Sequence, residues 1–210
     1  MTTTTQTDPT AIPAADPTQR LRVAVLAGSV RGERLSRTLT EWAAGRVAAT
    51  AAEVDLIDLA EHRLPDDELL QPGGGPRSAI ADRIERADAF VVVTPEYNHS
   101  YPASLKRAID WHYGEWAFKA ATVLSYGVQG GLLATEHLRG VFAELHVVTT
   151  RQVVGLRAPW DDVSAGRYLP PPGVDGALDA ALSELGWWAE TLCTARRERP
   201  FQRQDPQEQS

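Results

Sequence analysis

The run Ala89-Phe90-Val91-Val92-Val93-Thr94 constrains this chain more than any other segment. An unbroken series of β-branched and aromatic residues has no polar face to turn to water, so it belongs to a strand covered on both sides. Such strands lie at the centre of parallel sheets flanked by helices. The surrounding pattern agrees. Leu21-Arg22-Val23-Ala24-Val25-Leu26-Ala27 reads as a first strand, followed by a helix over 36–50 with Leu39, Trp42, Ala43 and Val47 on one face. A strand over 53–59, a helix over 77–87, the central run, a helix over 102–112, a strand over 120–125 and a helix over 132–145 follow in alternation. A last strand is expected over 146–154 and a closing helix over 175–196, with Leu178, Leu182, Leu185, Ala189 and Leu192 in one stripe. Alternating strands and helices mean a parallel α/β sheet. Between the second strand and the next helix, the Pro- and Gly-rich stretch 64–76, with Gly73-Gly74-Gly75, predicts a mobile surface loop.

At 210 residues the chain fits one domain with a substantial core, expected over 21–196. The Thr-, Pro- and Asp-rich residues 1–20 read as a disordered leader without a secretory h-region, and 197–210 as a charged tail. A net charge of -7 argues against nucleic acid as a partner. No window is apolar enough for a membrane span. The single Cys193 excludes an intramolecular disulfide framework, and without a signal the expected compartment is the cytoplasm.

In open parallel sheets a ligand sits beyond the carboxyl ends of the strands, where strand order reverses. Three loops end there. The first, Gly28-Ser29-Val30-Arg31-Gly32-Glu33-Arg34-Leu35-Ser36-Arg37, joins a buried strand to a helix and so presents unpaired amides and a positive dipole end to an anion. It has neither the Lys-Ser/Thr ending of a nucleoside triphosphate loop nor the three-glycine dinucleotide pattern. Ser29 and Ser36 can donate to phosphate oxygens, and Arg31 or Arg34 can add a two-pronged contact. The second loop, Thr94-Pro95-Glu96-Tyr97-Asn98-His99-Ser100-Tyr101-Pro102, suits a flat heteroaromatic ring: Tyr97 can pack beside it and Asn98 can pair with its edge. The third, Ser125-Tyr126-Gly127-Val128-Gln129-Gly130-Gly131, lets backbone approach a ligand closely. Phosphate at one loop and a planar ring between two others describe a mononucleotide cofactor.

Three segments in this order resemble the NADPH-dependent FMN reductase family: Gly28-Ser29-Val30-Arg31, then Pro95-Glu96-Tyr97-Asn98 with the stretch from Ser100 to Trp111, then Ser125-Tyr126-Gly127 through Glu136-His137-Leu138-Arg139. The resemblance covers about residues 22–156. It implies a flavodoxin-like, doubly wound, five-stranded parallel sheet of order 2-1-3-4-5, with FMN and NADPH as cofactors. Ser29, Arg31, Arg34, Leu35 and Ser36 would bind the phosphate side, and Pro95, Glu96, Tyr97 and Asn98 with Ser125, Tyr126 and Gly127 would frame the isoalloxazine. The family often carries Ser-Phe-Asn where this chain has Arg34-Leu35-Ser36. The implied reaction is hydride transfer from nicotinamide to flavin N5, then two electrons to a small acceptor: a quinone, free flavin, an azo dye or a metal oxyanion. Reduced flavin released to a monooxygenase partner belongs to the same reading, as does a homodimer or homotetramer. No side chain is assigned as catalytic.

Other features carry blander expectations. His99 reads as a solvated loop residue more readily than a proton donor, and Arg77 as a solvated helix start more readily than a 2′-phosphate ligand. The five histidines lack metal-ligand spacing. The aromatics Trp111, Tyr113 and Trp116 point to a buried subunit contact, while Trp187 and Trp188 suit core and surface packing. Two rival classes use the same fold: an FMN electron carrier of the flavodoxin type without turnover of its own, and a nucleotide-sensing or scaffold protein that has lost catalysis.

Overall fold

In the computed structural model, which describes residues 20–65 and 67–201, the first apolar run forms β1 (Arg22–Ala27) and leads through an open turn to α1 (Ser36–Ala48). β2 (Glu53–Asp58), α2 (Ala81–Arg86), β3 (Ala89–Pro95), α3 (Ala103–Trp111), β4 (Ala120–Gly127) and α4 (Leu132–Glu144) follow in the alternation that the sequence predicts. With a fifth strand, β5 (Val148–Thr149), the parallel sheet has the order β2-β1-β3-β4-β5. β3 is buried at every residue and pairs with β1 on one side and β4 on the other. Its side chains divide by parity. Val91 and Val93 pack with α1 and the closing helix α5 (Val174–Glu198) through Leu39, Val47, Leu178 and Leu185, whereas Phe90 and Val92 pack with Ile84, Leu105, Ile109, Leu138 and Phe142 of α2, α3 and α4. Covered on both faces, the sheet exposes only its loop-bearing ends.

The expected last strand over 146–154 is split. β5 (Val148–Thr149) and β6 (Val154–Arg157) each pair in parallel with β4, at its start and its end. The break is held by α5, where Glu184 accepts hydrogen bonds from the Arg151 and Gln152 amides at 2.8 and 3.3 Å. A small hairpin, β7 (Val163–Ser164) with β8 (Arg167–Tyr168), turns through Ala165 and Gly166, both at positive φ. The helix expected from 77 begins only at Ala81, because the Ser78 hydroxyl takes the Ile80 amide at 3.2 Å and holds the preceding residues in a turn. α5 runs to Glu198, two residues into the tail expected over 197–210; residues 1–19 of the leader expected over 1–20, and residues 202–210 of the tail, lie outside the described residues.

Two further expectations are corrected. The Gly-rich stretch is tied down: Gly75 donates to the Trp111 carbonyl at 2.9 Å and Trp111 Nε1 donates to the Pro76 carbonyl at 2.7 Å. A Cβ on Gly75 would lie 2.2 Å from the indole, so only glycine fits beneath it. Trp111 and Trp116 are not a subunit contact. Both are buried in the chain's own core, with Trp116 stacked obliquely on Phe90 at 4.4 Å. Trp187 is exposed and Trp188 leans on the core, as expected.

Candidate functional site

The turn between β1 and α1 begins with Gly28, whose amide donates to Val93 and whose carbonyl accepts from Ser104. A Cβ there would meet the Val93 carbonyl and Leu105 at 3.2 Å, which fixes glycine at the exit of the strand. Beyond it the amides of Val30, Gly32, Glu33, Arg34 and Leu35 find no hydrogen-bond partner among the described residues. These free donors curl over the N-terminus of α1, whose first turn carries no acidic residue and no side-chain cap. Two buried polar atoms here also lack partners, Ser36 Oγ and Arg34 Nε. Unpaired amides, orphaned donors and a positive helix end are what an acyclic phosphate ester would satisfy.

The arginines of the turn have separate roles. Arg34 Nη2 pairs with the fully buried Asp58 at 2.5 Å and its Nη1 reaches the Arg31 carbonyl at 3.3 Å. Arg31 is exposed and lies over the Tyr97 ring, 5.1 Å from its centroid. Ser29 Oγ and the Tyr97 hydroxyl are 3.1 Å apart. The phosphate turn and the ring loop are thus joined through Tyr97. Leu35 precedes the helix in αR conformation and packs its side chain on the core, leaving its amide to the turn.

Pro95 closes β3 opposite Tyr126. Tyr97 and Ser100 then exchange backbone hydrogen bonds at 2.7 and 3.0 Å around Asn98 and His99, both at positive φ. This is a two-residue turn of the I′ type, which presents the exposed Asn98 and His99 at its tip. Glu96 reaches across to the third loop, where its carboxylate accepts from the Leu133 amide at 3.0 Å and the Ala134 amide at 3.4 Å and so caps α4. His137 Nδ1 lies 3.0 Å from Ser100 Oγ, a second tie between the same two walls.

Ser125 and Tyr126 differ from the other candidates, because their side chains turn inward. The Ser125 hydroxyl donates to the Gly130 carbonyl at 2.9 Å and accepts from Thr135 at 3.0 Å. Tyr126 lies in the core under the phosphate turn, its hydroxyl facing Ser36 without a well-formed hydrogen bond. Burial pushes that phenol far above its usual range, with Tyr97 adding to the effect and Ser36, Arg31 and Arg34 opposing it. Neither side chain is open to a ligand: Ser125 is fully buried and Tyr126 nearly so. Gly127 accepts from the amides of Gly130 and Ala158 at 3.1 and 2.9 Å, while the Val128 and Gln129 amides are unpaired among the described residues. Arg77, four residues before α2, is exposed and engaged by Asp82 and by Glu85 at 3.0 Å: solvated as expected, but not at a helix start.

Three contributors escape a reading of the sequence. Asp58 lies at the end of an edge strand with no local motif, and only the structure brings it under the turn. Ala158, at φ 48°, carries the exposed Trp160 past the third loop. Thr135 joins the network that fixes the base of that loop. A cavity of about 1110 Å³, lined in part by Ala49, Asp88, Leu182 and Trp187, lies at the opposite end of the sheet, where strands begin.

The donor set fits FMN: free amides and orphaned donors for the phosphate, an aromatic side chain and open backbone for the ring. Comparison with known proteins gives the same answer. Residues 21–161 match the family model for NADPH-dependent FMN reductase. The chain is 34% identical over 179 residues to an NAD(P)H-dependent FMN reductase of Schizosaccharomyces pombe, covering 78% of this chain and 88% of that one. It is 34% identical over 152 residues to the quinone reductase of Escherichia coli K12, covering 65% and 78%. Among solved structures it is similar to FerB, a flavoenzyme NAD(P)H:(acceptor) oxidoreductase of Paracoccus denitrificans, with a TM-score of 0.64 at 27% identity over 80% of this chain and 97% of that one. With its sheet order, its three loops and a family match over most of its length, the chain belongs to the NADPH-dependent FMN reductase family.

Proposed function

We propose that the chain is an NAD(P)H-dependent FMN oxidoreductase that passes two electrons from a nicotinamide to a small acceptor. The observation that carries this reading is the convergence, in a member of this family, of the amides of Val30, Gly32, Glu33, Arg34 and Leu35, unpaired among the described residues, with a tyrosine that ties the turn to the ring loop. Ser29, Arg31, Arg34 and Ser36 would hold the phosphate with their side chains, and Leu35 with its amide. Tyr97 and Asn98 would border the isoalloxazine; Pro95, Glu96, Ser125, Tyr126 and Gly127 would shape its slot through backbone and through the Glu96 tie to α4.

The chemistry supplied by bound FMN is two-electron transfer, taken as hydride from the nicotinamide and passed on to the acceptor. The chain's own part is to bind, orient and stabilise. No side chain is required as acid or base in the hydride step, and the unpaired Val128 and Gln129 amides would stabilise negative charge on the reduced ring. Quinones are the favoured acceptor class, since a relative at 34% identity is a quinone reductase. Delivery of reduced flavin to a monooxygenase partner is a second use of the same chemistry. Exposed Val128, Leu132, Leu133 and Trp160 beside the site support a subunit seam there, in a homodimer or homotetramer. No described helix is long and apolar enough to cross a membrane, and the proposed compartment is the cytoplasm.

Anaerobic mixing of NADPH, and separately NADH, with FMN-loaded protein tests the reading through the visible flavin absorbance. Rapid bleaching followed by reoxidation on adding a quinone is the expected result. Bound flavin that stays oxidised with either nucleotide overturns the reductase reading in favour of an electron carrier.

A further inference from the structure

We propose that Asp58 is a positioning residue for the phosphate turn, acting through Arg34, and that it sets the preference for FMN over unphosphorylated riboflavin. The inference rests on the FMN reading above. Asp58 ends β2, is fully buried, and uses both carboxylate oxygens: Oδ1 accepts the Ala60 amide at 3.0 Å, and Oδ2 accepts Arg34 at 2.5 Å and Arg37 at 3.4 Å. A buried carboxylate beside an anion site is unfavourable by charge alone. Its geometry supplies the reason for it. Arg34 spans from Asp58 to the Arg31 carbonyl, so one guanidinium fastens the far side of the turn to the edge strand. Each Nη atom then carries one of these two bonds, while Nε stays buried and unpartnered.

Arg37, the other cation on Asp58, is also engaged by Glu41 and Glu61, each at 2.7 Å, and so stays neutralised at the rim. Among the described residues Arg34 has no second carboxylate. Without Asp58 the segment before α1 loses its ion-paired anchor to the edge strand, and the amides of the turn are held less firmly in place. Riboflavin has the same ring and ribityl chain but no phosphate. A loss confined to the turn therefore weakens FMN and spares riboflavin, which a general loss of fold does not.

The test is titration of apoprotein with FMN and with riboflavin, followed by quenching of flavin fluorescence, for wild type, Asp58→Asn, Arg34→Lys and the double variant. Each single variant is expected to weaken FMN about tenfold or more, the scale of one charge-assisted contact, with riboflavin changed less than about twofold. The double variant is expected to lose little beyond either single one, since both break one connection. An unchanged or raised FMN-to-riboflavin preference in a folded Asp58→Asn protein overturns the proposal. Should Asp58→Asn fail to fold, Arg34→Lys decides alone, because lysine keeps the charge but cannot bridge Asp58 and the Arg31 carbonyl: an unchanged preference overturns it. A wild type that binds FMN no better than riboflavin refutes the phosphate site itself, a different failure.

Discussion

Replacing Ser36 by alanine should move stability and cofactor affinity in opposite directions. Ser36 opens α1, is fully buried and has a hydroxyl without a hydrogen-bond partner. An unsatisfied buried hydroxyl costs about 1–3 kcal/mol, and alanine is also the better helix former. The Tyr126 hydroxyl that faces Ser36 forms no well-shaped bond with it, so little is lost in exchange. The apoprotein is therefore expected to hold its stability or gain about 1 kcal/mol in urea unfolding. In the FMN complex the same hydroxyl would donate to a phosphate oxygen, a charge-assisted bond of about 1.5–3 kcal/mol, so its loss raises Kd by roughly tenfold to a hundredfold. At FMN concentrations a hundred times the wild-type Kd, ligand stabilisation of about 2.7 kcal/mol would fall to about 1.4 kcal/mol for a tenfold weaker variant. Unfolding with and without FMN, beside a fluorescence titration, gives both numbers. An apoprotein destabilised by more than about 1 kcal/mol with unchanged FMN affinity would refute the reasoning, by showing that the hydroxyl serves the fold and not the phosphate.

Other outcomes follow from the same coordinates. Arg31→Ala with Ser29→Ala should release FMN at equilibrium dialysis while far-UV circular dichroism stays that of wild type, because the exposed Arg31 side chain lies over the Tyr97 ring at the rim and its backbone contact to Arg34 survives the substitution; full flavin retention would contradict the assignment. Gly75→Ala should cost about 3 kcal/mol, combining a clash with the Trp111 indole and loss of its bond to Pro76, whereas Gly140→Ala, in α4 with open space around it, should gain about 0.5–1 kcal/mol in urea melts. Burial lowers the buried Lys119 amine from 10.5 to about 8, so between these values the unfolded chain holds the extra proton and stability from this group rises with pH. Between pH 7.5 and 9.5 the rise is at most about 2 kcal/mol, and Lys119→Met should flatten it; parallel pH profiles for the two proteins would show the reasoning to be wrong.

Much of this was legible in the sequence where local pattern and tertiary role coincide. The run from Ala89 to Thr94 could only be a doubly covered strand, and the open turn after Ala27 was readable from the apolar run before it and the helical pattern after it. What escaped was decided by partners far along the chain. The strand expected over 146–154 breaks because Glu184, on another element, takes the amides of Arg151 and Gln152. The hairpin through Ala165 and Gly166 uses an alanine at positive φ, which no turn preference suggests. The sequence points Trp111 and Trp116 to a subunit contact, yet Phe90, Phe142 and the Gly75 backbone enclose them. At the site, residue type and loop were readable, but not which atoms stay free: Ser125 spends its hydroxyl on Gly130, and Arg34 spends its fork on Asp58.

The third loop has a locked base and an open tip. Ser125, Gly130 and Thr135 knot its two ends together, Gly131 at φ 74° leaves no room for a side chain, and Gly127 clasps Ala158. Val128 and Gln129, in contrast, are exposed and make no hydrogen bond among the described residues. Substitutions at these two positions are nearly free of cost to the fold while, in the proposed site, they would alter what meets the ring edge. Selection for a new electron acceptor, in nature or in a library, would find its shortest route there.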